Sequence, residues 1–171
     1  MPKLLVSAVL GLVLAVMIGL SRDKPGFTTV YVVRHAEAEH AGDDPGLTDV
    51  GVARAEALAS LLRSADLDAV YSSPTQRTMQ TAAPTALVHE LDAAPYPPKD
   101  AEGLAERIAR DHVGQTLLVV GHSNTVPMIV QAFGAGTIDD IAHDEHDNLY
   151  VVTIAPNGDV GIQRLRIPRD R

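Results

Sequence analysis

Cysteine and tryptophan are both absent from the 171 residues, phenylalanine occurs twice, and aromatic residues make up 4% of the chain. The missing thiol excludes a disulfide framework, a Cys-based zinc site, a thiol nucleophile and a lipid-modified N-terminal cysteine. Positive charge is also short: 14 Lys and Arg stand against 22 Asp and Glu, a net charge of −8. A protein that grips a nucleic-acid backbone needs a basic face, so that class is set aside. A phosphate ester stays admissible, because a local arginine pocket can outweigh a distant acidic surface. There are no internal repeats. With 46% hydrophobic and 21% charged residues, the composition is that of a globular chain, long enough for one domain with a sizeable core.

The longest apolar run, Leu4–Leu20, is free of charge and flanked by Lys3 and by Arg22-Asp23-Lys24. It lacks the polar stripe of a core helix, and its length falls between a signal-peptide core and a full membrane span. Residues 1–24 are therefore expected to be an export signal or an uncleaved membrane anchor. Residues 25–171 would form the folded domain outside the cytoplasm, periplasmic or secreted. Pro25-Gly26 marks its start.

Thr28–Glu37 (TTVYVVRHAE) is a β-branched run that ends in an arginine and a histidine. It reads as a buried strand delivering Arg34 and His35 to its C-terminal edge, where open α/β sheets place ligands. Taken alone, such a pair is more often a solvated strand exit than a chemical site. His40–Leu47 is a loop with an Asp-Pro-Gly turn, and Thr48 caps a helix to about Ser64. Asp68–Ser72 reads as a second strand, and Pro74 opens a helix to about Thr85 that carries Arg77 in its first turn. Ala86–Leu91 is a candidate third strand, Asp92–Asp100 a proline-rich loop, and Ala101–His112 an amphipathic helix stopped by Gly114.

Gln115–Val120 is the clearest buried parallel strand, and it runs into Gly121-His122-Ser123-Asn124 before an apolar helix over Met128–Phe133. A glycine followed by a histidine at a strand-to-helix junction suits an anion, which meets free N–H groups and the positive end of the helix dipole. Thr137–Asp147 is an acidic loop in which His143 and His146 have a spacing that metal ligands can use. No third His or Cys is arranged to close such a site, and a solvated loop is the better reading. Asn148–Ile154 and Val160–Ile167 form a hairpin across an Asn-Gly turn.

Three separate strand ends thus supply Arg34 with His35, Arg77, and His122. Two arginines and two histidines without cysteine describe a site for a tetrahedral dianion, with phosphoryl transfer through an imidazole nucleophile. One histidine would attack phosphorus while the other holds an oxygen. A carboxylic acid is still needed to protonate the leaving alcohol and then to activate water. No cofactor or metal is called for.

The ordered motifs resemble the histidine phosphatase superfamily, the phosphoglycerate-mutase-like family. They are Arg34-His35-Ala36-Glu37, Leu47-Thr48-x-x-Gly51 with Arg54-Ala55, Ser72-Ser73-Pro74-x-x-Arg77-x-x-Gln80-Thr81-Ala82, and Gly121-His122-Ser123-Asn124. The resemblance implies a three-layer α/β/α sandwich around a mostly parallel sheet, here with a minimal cap because the connection from Ala83 to Gln115 is short. It also implies that His35 is transiently phosphorylated and that Arg34, Arg77 and His122 bind the phosphoryl group. Relatives place the acid after the third strand, which makes Glu90 the first choice, then Asp92, then Asp100. The family more often has glycine at the place of Ala36 and Ser or Thr at the place of Ala38. The implied activity is phosphomonoester hydrolysis of a small phosphorylated substrate. The alternatives are a phosphohistidine or other phosphoprotein phosphatase, and an inactive phosphate-binding domain.

Overall fold

The computed structural model of the chain describes residues 26–168. The export or anchor segment expected over residues 1–24, and the extracytoplasmic location inferred from it, fall outside those residues. Among the described residues no helix is long and apolar enough to cross a membrane.

Six strands and four helices follow one another as β1 (Thr28–Arg34), α1 (Asp49–Leu62), β2 (Ala69–Ser72), α2 (Gln76–Val88), β3 (Ala93–Pro95), α3 (Ala101–Asp111), β4 (Thr116–Gly121), α4 (Thr125–Ala132), β5 (Asn148–Ile154) and β6 (Val160–Arg166). The strands form a single sheet in the order β3-β2-β4-β1-β5-β6. The first four are mutually parallel, and β5 and β6 are antiparallel. This is the expected α/β sandwich, with the two central strands, β1 and β4, apolar on both faces as a covered parallel sheet requires.

The period-two alternation of β1 divides the core. Val30 and Val32 pack with Leu104, Ile108, Val126 and Ile129 of α3 and α4 on one face. Val33 packs with Leu58, Leu62, Ala82 and Ala86 of α1 and α2 on the other. Each fully buried Val or Leu contributes about 1.5–3 kcal/mol, so the edge that carries Arg34 and His35 is anchored by the best-buried part of the molecule.

Two stretches differ from the sequence expectation. Ala86–Leu91 is not a strand: α2 continues through Pro84 to Val88, because Thr78, Thr81, Ala82, Thr85 and Ala86 recur at helical spacing and bury one face. The third strand lies instead inside the proline-rich stretch, at Ala93–Pro95. Helix α4 starts three residues earlier than expected, at Thr125, which puts Pro127 in the first turn where its missing N–H costs no intrahelical bond.

Thr48 caps α1 as expected, accepting from the Gly51 N–H at 3.1 Å. Gly51 is fixed by space: a Cβ there would overlap the Glu37 carbonyl oxygen, a backbone atom already tied to the Thr48 N–H at 3.0 Å. Gly51→Ala should therefore cost about 2 kcal/mol as an overpacked site. At about 2–4 °C per kcal/mol for a chain of this size, calorimetry should show the unfolding midpoint falling by about 4–8 °C. An unchanged midpoint would mean that the Glu37 loop yields freely.

Candidate active site

Because β1 and β4 run parallel and in register, with Arg34 beside Gly121, their C-terminal ends open side by side. The His35 N–H extends that ladder to the Gly121 carbonyl at 2.9 Å. Gly121 is small for a reason: a Cβ would sit 2.8 Å from the Thr125 hydroxyl and 3.0 Å from that of Tyr96. Arg34, His35, Arg77 and His122 line one cavity of about 950 Å³ over this edge, together with His40, Lys99, His143 and His146.

His35 is 8% exposed, and its Nδ1 lies 2.7 Å from the Ala36 carbonyl oxygen. A carbonyl only accepts, so Nδ1 carries the hydrogen and Nε2 keeps its lone pair. Burial, with the charges of Arg34 and Arg77 adding to it, pushes the ring's pKa down to about 3, so His35 is neutral at physiological pH. His122, its ring centroid 5.4 Å away, is pushed down to about 4 by burial and then by Arg77 and Arg34. Ser73 sends its own hydroxyl hydrogen to Thr78 Oγ1 at 2.9 Å and takes His122 Nε2 at 2.8 Å. That leaves His122 Nδ1 turned toward Arg77, whose Nη2 is 3.5 Å away.

Arg34 is 5% exposed, and its Nη1 donates to the carbonyls of Ala142, His143 and Glu145 at 2.8, 3.0 and 3.1 Å. Its Nε is buried and without a partner. Arg77 is held by Asp44 at 3.6 Å, and Asp44 also accepts from the Gln76 N–H at the start of α2. Glu37 is already engaged by Arg54 through Nε and Nη2. Burial works to raise the Glu37 carboxyl, but the Arg54 hydrogen bonds outweigh it and hold the group below the usual carboxylate range.

The carboxylates nominated as proton donor are elsewhere. Glu90 sits in a left-handed turn (φ 56°) between α2 and β3, at the N-terminal end of a strand whose C-terminal end faces the cavity. Asp92 lies at that same far edge, and Asp100 is spent on capping α3 through the Gly103 N–H. Neither they nor Glu90 line the cavity, where Pro98 and Lys99 occupy the exit of β3. The misassigned third strand explains the shift: an acid set after Ala86–Leu91 is set on the wrong side of the sheet. His143 and His146 both reach the cavity wall, though no group of three potential metal ligands exists among the described residues. Their role was hidden because the carbonyls that hold Arg34 carry no side-chain signature.

The site sets two arginines beside a neutral histidine, an arrangement suited to a tetrahedral anion. Residues 30–107, just under half of the chain, match the model of the histidine phosphatase superfamily (branch 1), the family that the motifs resemble. An uncharacterized Mycobacterium tuberculosis protein, Rv0525, is 43% identical over 74 residues, covering 39% of this chain and 37% of that one. The match thus spans little more than a third of that relative's length. The protein histidine phosphatase SixA, solved with tungstate, superposes with a TM-score of 0.67 at 20% identity, over 81% of this chain and 96% of that one. A phosphoglycerate mutase from Bacillus anthracis gives 0.61 at 16% identity, over 82% and 93%. Both likenesses are of fold.

With His35 and His122 at about 3 and 4, neither ring titrates between pH 5 and 7. After allowance for the substrate's own ionisation, kcat/KM should stay level there, since it reports free-enzyme groups. An inflection near pH 6.5 would mean that His35 behaves as a solvated imidazole. The same shifts predict the sign of acid sensitivity. The unfolded chain binds more protons below about pH 6.5, so stability to urea should fall as pH drops from 6.5 toward 4.

Proposed function

We propose that the protein is a phosphohydrolase working through a phosphohistidine on His35, directed at phosphoryl groups whose leaving group needs no acid from the enzyme, above all phosphohistidine. One observation carries the reading: none of Glu90, Asp92 and Asp100 reaches the cavity, whose β3 exit presents Pro98 and Lys99, while the carboxylates that do line it are Glu37, already held by Arg54, and Glu39 and Asp144 on the loops after β1 and before β5. The superposed SixA structure, named a protein histidine phosphatase, supports the same direction.

In the first step the His35 Nε2 lone pair attacks phosphorus, and the bond from phosphorus to the leaving atom breaks with its electron pair. Arg34 and Arg77 hold the nonbridging oxygens as charge shifts onto them, and His122 adds a donor once the incoming dianion lets its Nδ1 take a proton. An N-phosphorylated imidazole takes a proton from water on its distal nitrogen and departs neutral, so it needs no acid at the exit of β3. In the second step water attacks phosphorus, the P–N bond breaks, and Nε2 recovers its lone pair. The proton released by water passes to phosphate or solvent. Simple alkyl esters, by contrast, leave as alkoxides unless an acid protonates them, a contribution of about 10²–10⁴ in rate.

The test compares a phosphohistidine peptide, an aryl phosphate and glycerol 3-phosphate. The first two should turn over and the alkyl ester should lag by about 10²-fold or more. His35→Ala should abolish turnover, and the native protein should yield an acid-labile phosphoenzyme. Equal turnover of the alkyl ester would reveal a proton donor and sink the leaving-group argument. Retained activity in His35→Ala would remove the phosphohistidine mechanism, and phosphate binding without turnover would make this a binding domain.

A further inference from the structure

The aim of the nucleophile depends on one peptide group. His35 Nδ1 bonds the carbonyl of the next residue, so the direction of Nε2 follows wherever the chain from His35 to Ala36 is set. That peptide lies past the last rungs of β1, which are Arg34 beside Gly121 and Val33 beside Leu149. The sheet no longer fixes it, and its buried polar atoms need other partners.

Both are supplied by side chains from different parts of the fold. The Ala36 N–H donates to Thr81 Oγ1 at 3.0 Å, from α2. The His35 carbonyl accepts from His146 Nδ1 at 2.8 Å, from the loop before β5. His146 is 9% exposed, and its ring centroid is 5.6 Å from that of His35. Its loop is in turn pinned where Arg34 Nη1 grips the carbonyls of Ala142, His143 and Glu145.

We propose that His146 is a positioning residue for the nucleophile: its Nδ1–H fixes the His35–Ala36 peptide and, through the Ala36 carbonyl, the direction of His35 Nε2. The assignment rests on His35 being the attacking group. A neutral imidazole has one N–H, and this one is spent on the backbone of the residue it serves. Thr81 is the opposing handle on the same peptide.

The experiment uses the full chain with an aryl phosphate, reading phosphoenzyme formation in single turnover, inhibition by inorganic phosphate, and the unfolding midpoint. His146→Leu keeps bulk and removes the donor; His146→Asn returns an N–H close to the place of Nδ1. The rate of phosphoenzyme formation in His146→Leu should fall about 10²-fold, as for a misdirected reacting group, while phosphate affinity changes by less than about threefold. His146→Asn should recover to within about tenfold of the native rate. The proposal is overturned if His146→Leu keeps the native rate, if His146→Asn is as slow as His146→Leu, or if phosphate affinity falls in step with the rate.

Should His146→Leu fail to fold, nitrogen-15 NMR of the native protein decides the matter. His146 should carry its hydrogen on Nδ1, and the Nε2–H tautomer would overturn the assignment. A native protein that shows no turnover would count against the proposed function alone, because the tautomer still reports whether His146 holds the peptide.

Discussion

A guanidinium taken out of water must be given hydrogen-bond acceptors, and the way Arg34 obtains them governs the site. Its Nη1 is satisfied by three main-chain carbonyls and by no carboxylate. Carbonyl dipoles satisfy the donor without cancelling the charge, so the positive charge of Arg34 remains available to the cavity. Arg54 is the contrast, since Glu37 engages it through two nitrogens and neutralises it. Arg77 lies between the two, with Asp44 at 3.6 Å and partly in solvent. The three arginines thus differ in how directly a carboxylate pairs with them, Arg54 most and Arg34 least. The same three carbonyls bring the loop before β5 onto the catalytic edge, and His146 with it.

That loop is where legibility from sequence ends. The central strands could be read because their constraint is compositional: a strand covered on both faces must be apolar throughout, as Val30–Val33 and Leu117–Val120 are. The four residues Arg34, His35, Arg77 and His122 could be read because each follows directly from such a strand, or opens the helix after one. The third strand could not. Ala93–Pro95 is three residues long at the sheet edge and half exposed, too short for any periodicity, while Ala86–Leu91 mimics a strand and continues a helix. One misplaced element moved the expected acid to the opposite edge of the sheet, which shows how far a functional assignment can depend on register.

The contribution of residues 142–146 is harder still to foresee. Main-chain carbonyls have no sequence signature, and a histidine in an acidic loop is equally a solvated side chain or a hydrogen-bond donor to a buried backbone. Tertiary position alone decides. His146 reaches the His35 carbonyl because β5 must return antiparallel beside β1, and the segment entering β5 therefore passes over the C-terminal end of β1.

The two arginines at the cavity also bear on a conflict built into imidazole chemistry. A histidine that attacks phosphorus must be neutral, yet the dianion it attacks is an opposite charge that favours imidazolium. Burial acts first, driving His35 to about 3, and the charges of Arg34 and Arg77 push in the same direction. On the proposed mechanism, the cations that would bind the phosphoryl group also help to keep its attacker unprotonated. A dianion entering the cavity would offset those charges and restore the ring's affinity for a proton, with the lone pair by then facing phosphorus and not solvent. Fixing that direction in advance is worth more here than in a site with a free acid nearby. On the proposed mechanism, the geometry of attack is one of the main rate factors available for a leaving group that takes its proton from solvent.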